Sequence, residues 1–135
     1  MVCYDLRFPE LALKLRTQGA NILSAPAAFT FTTGQMHWQL LIQARAMDTQ
    51  CQVLGAAQQG WHSHGKRQTW GHSMAAQSQG KILAEVTDEG SQLIIVPFDI
   101  EEQQNIRNAM PLINHRKLIN LFSKDTISPV NTHHD

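Results

Sequence analysis

Cysteine is scarce in this chain: Cys3 and Cys51 are the only two in 135 residues. One bridge at most could form, so a disulfide scaffold is excluded and free thiols are expected. Neither cysteine sits in a C-x-x-C pair and no histidines show H-x-x-x-H spacing, so no metal site is indicated. Net charge is missing as well, because eleven Lys and Arg balance eleven Asp and Glu. That leaves no basic field for nucleic acid or an anionic membrane surface. No apolar run approaches the roughly 20 residues of a helical membrane span. The first residues show no secretory pattern. Cytoplasm is the resulting expectation. Repeats and low-complexity tracts are also absent.

What is present is core-forming. Hydrophobic residues make up 42% of the chain, which fits one globular domain rather than a disordered segment. Met1-Val2-Cys3-Tyr4 reads as the end of a buried strand, followed by a turn through Asp5 to Pro9. Pro9 and Glu10 suit a helix start; Leu11, Ala12, Leu13 and Leu15 give its apolar face, and Gly19 its C′ residue. Residues 21–24 are a short strand closed by Ala25-Pro26. Thr32 and Gln35 fit a capping box. Leu40, Leu41, Ala44 and Met47 predict a core-facing helix over 35–49. Residues 51–57 read as a buried strand, 59–71 as a polar histidine-rich loop, and 72–77 with 81–86 as a hairpin around Gln79-Gly80. A further strand is expected over 91–98, a helix over 100–108, and a polar tail from Ser123. Strand–helix–strand order with hairpin neighbours predicts an α/β fold, a mixed sheet with covering helices.

Chemistry centres on Cys3. A side chain where a strand hands over to a helix is exposed at the sheet edge. The amides that follow, beginning with Tyr4, can face a developing oxyanion, and a helix N-terminus favours the thiolate. Cysteine is also among the most buried residue types, and the local pattern by itself favours an ordinary buried thiol. Arg45 and Asp48, at i and i+3, read as a structural pair. Cys51 begins a buried strand and reads as inert. His62, His64 and His72 read as solvated loop residues. Trp38, Trp61 and Trp70 could stack on a ligand, yet without a basic field a nucleic-acid role fails.

The run Cys3-Tyr4-Asp5-Leu6-Arg7-Phe8-Pro9-Glu10 resembles the signature around the nucleophilic cysteine of the nitrilase superfamily, the carbon–nitrogen hydrolases. "PAAFTFTTGQMHWQLLIQARAMDTQCQVLGAAQ", "GHSMAAQSQGKILAE" and "NHRK" are similar to its later conserved stretches, in the same order. Thr33-Gly34, His37-Trp38 and Gly71-His72-Ser73-Met74 look most like the deaminated glutathione amidases. The resemblance implies half of an α-β-β-α sandwich over residues 1–122, the C-terminal half only, with residues 123–135 as the tail. It implies protomers paired through helices and no metal or organic cofactor. Cys3 becomes the nucleophile, the Tyr4 amide an oxyanion donor and Arg7 a carboxylate-binding residue. Phe29 and Thr33 lie in a stretch resembling the substrate-contacting loop. Their competing readings are core aromatic and helix-cap neighbour, and for Arg7 a structural ion pair.

The implied reaction is hydrolysis of a small ω-amide such as deaminated glutathione, through a cysteine thioester, giving 2-oxoglutarate and a cysteinyl dipeptide. In that family a glutamate base, a lysine and a further glutamate lie upstream of the cysteine. None of them has a matching position in this sequence, and Glu10 belongs to the helix after the turn. The expectation is therefore a truncated chain with little or no activity, acting as a homo-oligomer or with a complementary N-terminal half. Two other readings remain: a catalytically dead interaction module, and a redox-sensing thiol protein.

Overall fold

Only Met1 and Val2 precede the first helical turn. A computed structural model describes residues 1–62, 64–87, 90 and 92–117. Val2 is extended (φ −127°, ψ 121°), and the Met1 amino group donates to Ser24 O at 3.2 Å. Cys3 then opens a 3₁₀ helix, Cys3–Arg7, and Val2 is exposed, so the buried strand end expected over Met1-Val2-Cys3-Tyr4 does not form. Pro9 starts helix α1, Pro9–Thr17. Gly19, at φ +99°, ends it: its N–H donates to Arg16 O and the Ala20 N–H to Leu15 O. That pair of bonds is a Schellman cap. Ala12, rather than the leucines, is the fully buried residue of α1.

Strand β1, Ile22–Ala27, alternates strictly between exposed and buried. Helix α2, Phe31–Thr49, crosses over to strand β2, Gln52–Ala57, which runs parallel to β1. The hairpin β3, Gln59–His62, and β4, Arg67–Trp70, follows. Strands β5, Met74–Ala76, and β6, Ile82–Glu85, complete a mixed sheet of order β1-β2-β5-β6. Gly80, at φ +83°, makes the turn expected between β5 and β6. Helix α3, Ile100–Ala109, is capped by Asp99, whose carboxylate accepts from the Glu101 and Glu102 amides at 2.9 Å. A short helix α4, Leu112–His115, ends the described part. None of the described helices is long and apolar enough to cross a membrane.

The core lies between one face of the sheet and α2. Leu23, Ala25, Val53, Met74 and Ala76 pack with Trp38, Ile42 and Ala46. Gly55 is required here, since a Cβ would come within 2.6 Å of the Trp38 ring. Along β1 the other face exposes Ile22, Ser24 and Pro26.

Four expectations need correction. Helix α2 begins at Phe31, with Thr30 at its cap and no side-chain cap bond, so Thr32 and Gln35 form no capping box. The start is set by tertiary pairing: Thr30 bridges Thr69, and the Trp70 N–H donates to Phe29 O. Leu40 and Met47 are exposed, while Trp38, Ile42, Arg45, Ala46 and Thr49 form the buried line. Apolar residues surround much of α2, so spacing alone does not fix its phase. Residues 59–71 hold the hairpin, whose polar composition suits a ribbon with Thr69 as its buried residue. Residues 92–98 form no strand, and Leu93 and Ile95 are each 86% exposed. Strand propensity is realised only through pairing, and none of the described strands pairs with this segment. The tail from Ser123 lies outside the described residues.

The far end of the fold is held by Arg107, buried at 7% exposure. Its guanidinium donates twice to Gln50 O, at 2.9 and 3.1 Å, and to Asn21 Oδ1 at 2.6 Å. Gln50 is the left-handed C-cap of α2 (φ 52°), so the cation sits at the negative end of that helix. Burial, and then the nearby Arg16, holds the Arg107 pKa below its ordinary value, with Cys51 acting in the opposite direction.

Candidate active site

Cys3 has φ +47°, a left-handed conformation that costs a non-glycine residue roughly 1–2 kcal/mol. Such strain persists where surrounding structure imposes it, often at functional positions. Here Asp5 imposes it. Its carboxylate accepts the Val2 N–H at 2.8 Å and its own N–H donates to Val2 O at 2.9 Å. One residue after Asp5 in the 3₁₀ turn, Leu6 is fully buried and anchors the turn to the core. The Cys3 and Tyr4 amides precede the first intrahelical bond of this 3₁₀ segment, so the helix itself supplies them no acceptor. The sequence reading missed Asp5, although a carboxylate three residues after a cap position is a recognisable capping signal.

Cys3 lines an open groove of about 540 Å³. Its walls come from the carboxyl ends of the parallel strands: Pro26 and Ala27 of β1 with Ala28 beyond them, and Ala56 and Ala57 of β2 with Gln58 beyond them, together with Ser73. The crevice beyond the carboxyl ends of parallel strands is where α/β sheets bind ligands. Ser73 Oγ accepts the Ala57 N–H at 2.9 Å and donates to Ala57 O at 3.2 Å, fixing this wall. Among the described residues no carboxylate and no lysine lines the groove.

Arg7, Phe29 and Thr33 are outside the groove lining at Cys3. Arg7 and Phe29 meet each other instead. The Arg7 guanidinium lies 5.6 Å from the centroids of both the Tyr4 and Phe29 rings, and one N–H donates to His37 Nδ1 at 3.2 Å. Phe29 is 7% exposed and edge-on to Trp38 at 5.4 Å, so it is also a core aromatic. Thr33, half-buried in the first turn of α2, stands one turn before His37 on the same helix face. Among the described residues no carboxylate forms an ion pair with Arg7, whereas Arg45 and Asp48 do pair, at 2.7 Å.

The remaining candidates are structural. Cys51 is fully buried with its thiol against Ala20 O. His62 bonds the Thr69 hydroxyl at 2.8 Å. His72 stacks on Trp70 at 4.1 Å and pairs with Glu85 at 2.8 Å. These two histidines are thus bonded while staying partly exposed. Among the described residues no three His, Cys, Asp or Glu side chains converge as a metal site would need.

Residues 1–108 match the carbon-nitrogen hydrolase family. The chain belongs to that family. This hydrolase-family chain is 48% identical over 118 residues to the deaminated glutathione amidase of Yersinia enterocolitica, covering 87% of this chain and 41% of that protein. The crystal structure of Saccharomyces cerevisiae Nit3, a member of branch 10 of the nitrilase superfamily, is similar with a TM-score of 0.78 and 37% identity, over 86% of this chain and 42% of that one. A mutant of the amidase from Nesterenkonia sp. matches with a TM-score of 0.57 and 27% identity, over 64% of this chain and 32% of that one. That mutant shows covalent addition of the acetamide moiety of fluoroacetamide at its active-site cysteine. The chain spans about two fifths of the length of the first two relatives. The mixed α/β sheet is therefore a nitrilase-superfamily fold.

Proposed function

We propose that this chain is the nucleophile-bearing part of an amidase that hydrolyses a small ω-amide of the deaminated-glutathione type. The observation that carries the reading is the strained Cys3, held at φ +47° in a groove beyond the ends of two parallel strands. The Cys3 thiolate attacks the amide carbon, and the carbonyl oxygen takes up the negative charge, stabilised by the Tyr4 N–H. Collapse breaks the carbon–nitrogen bond; the nitrogen takes up the proton lost by the Cys3 thiol and leaves as ammonia or an amine, with a thioester remaining on Cys3. Water then attacks the thioester, releasing the acid and restoring the thiol. Arg7 binds a substrate carboxylate as a guanidinium fork, with Phe29 behind it and Thr33 alongside.

Another segment supplies the proton acceptor for Cys3 and for the water in this reading, since among the described residues the groove lining holds neither carboxylate nor lysine. A complementary half supplying a glutamate and a lysine fits both this gap and the partial coverage of the relatives. It also fits the exposed β1 face, where Ile22 is 41% exposed. The exposed Met36, Leu40 and Met47 along α2 support pairing of two protomers through helices. Cytoplasm remains the proposed location.

The test is to assay glutaramate-type amides with the chain alone and with a complementary segment taken from an amidase relative. Turnover is expected only in the combined sample, and only with Cys3 intact. Hydrolysis by the chain alone that disappears in Cys3→Ser would overturn the need for an external base.

A further inference from the structure

Arg7 differs from the other well-placed arginines of this chain in what it touches. Arg45 is neutralised by Asp48, and Arg107 is consumed by backbone and amide oxygens at a helix end. Arg7 is half-buried, yet its described partners are two aromatic rings and one imidazole nitrogen. None of these carries a negative charge, so the full positive charge of Arg7 remains for an incoming anion.

A guanidinium has only donors, five in a rigid fork. At 3.2 Å, His37 Nδ1 therefore serves as the acceptor and holds no proton, which assigns the ring proton to Nε2. The rings of Tyr4 and Phe29 approach the guanidinium carbon, while the bond to His37 ties down one of its nitrogens. The three contacts come from three different places: the 3₁₀ turn, the segment after β1, and α2. A long side chain that is already immobilised loses less entropy when it binds.

We propose that His37 is a positioning residue for Arg7, accepting one guanidinium N–H through Nδ1 so that the remaining donors are preset for a substrate carboxylate. This rests on the reading of Arg7 as the carboxylate-binding residue. It makes His37 a determinant of specificity for acids over neutral amides, without itself touching the reacting atoms.

The experiment uses the 135-residue chain and glutarate as a dicarboxylate probe. Long-range proton–nitrogen correlation of the His37 ring reads the tautomer, and titration of the Arg7 Nε–H signal reads binding. Expected results are the Nε2–H tautomer and glutarate binding roughly three- to tenfold weaker in His37→Phe. Recovery to within about twofold is expected in His37→Asn, whose Oδ1 replaces the Nδ1 acceptor. Arg7→Met should abolish binding. Equal thermal midpoints for the three variants separate these losses from unfolding. A proton on Nδ1, or His37→Phe binding glutarate as the parent does, would overturn the role of His37 alone. Absence of glutarate binding in the parent, or its persistence in Arg7→Met, would overturn the Arg7 reading and the role built on it.

Discussion

The Trp38 indole N–H donates to the His72 carbonyl oxygen across 2.6 Å. This bond joins the middle of α2 to a turn in which Gly71 and His72 both have positive φ, 73° and 60°. It thereby fixes the start of β5 and, one residue on, Ser73 at the groove wall. Trp38→Phe removes the donor and strands a carbonyl, so a loss of about 2 kcal/mol is expected. Urea denaturation checks it, and protection of the Ala57 N–H, which donates to Ser73 Oγ, should fall in parallel.

Gly34→Ala separates local propensity from tertiary contact. Helix propensity alone favours alanine by about 1 kcal/mol. In the fold, however, a Cβ at Gly34 would lie 2.1 Å from the Trp70 Cβ. Net destabilisation of about 1–3 kcal/mol is expected from overpacking. A raised thermal midpoint in this variant would show that α2 and β4 can separate freely.

Cys3→Gly and Cys3→Ala compare the strain at the elbow. Both remove the thiol, but only glycine tolerates φ +47° without penalty. The glycine variant should be more stable than the alanine variant by about 1 kcal/mol. Equal stabilities from chemical denaturation would mean that the turn relaxes once the thiol is gone.

Alkylation should distinguish the two thiols. Cys3 borders an open groove, whereas Cys51 is fully buried and reacts only after local opening. Mass spectrometry after brief iodoacetamide treatment should find Cys3 modified more than about tenfold faster. Comparable rates would place Cys3 out of reach in solution.

Arg107→Lys tests the clamp at the α2 C-terminus. A lysine keeps the charge but cannot reproduce bonds to Gln50 O and Asn21 Oδ1 at once. A loss of about 2 kcal/mol is expected, measured as a shift in the denaturation midpoint. Arg107→Met should lose more, because the cation at the helix end disappears as well.

Some of this was legible in the chain. Gly19 marked the end of α1 because only a left-handed residue satisfies the last carbonyls of that helix. Gln79-Gly80 marked the β5–β6 turn for a similar reason. The strand–helix–strand order from Ile22 to Ala57 followed from local composition, and the Arg45–Asp48 pair from helical spacing. Other features were not legible locally. The buried face of α2 depends on which of its many apolar residues meets Gly55. Residues 92–98 carry strand-forming side chains, yet strand structure needs a neighbour that composition does not provide. His37 and Ser73 act through partners set by folding, and His37 meets Arg7 from thirty residues away.

By itself, then, the sequence determined the order of elements, their punctuation by glycine and proline, and the run of residues that resembles a nucleophile turn. Those are short-range consequences of backbone freedom and side-chain pattern. Tertiary structure alone decided that the ends of β1 and β2 and Ser73 close a groove around Cys3, that among the described residues its lining holds no carboxylate or lysine, and that Arg7 meets His37. Each of these depends on distances between distant parts of the chain, which packing sets and local pattern does not encode.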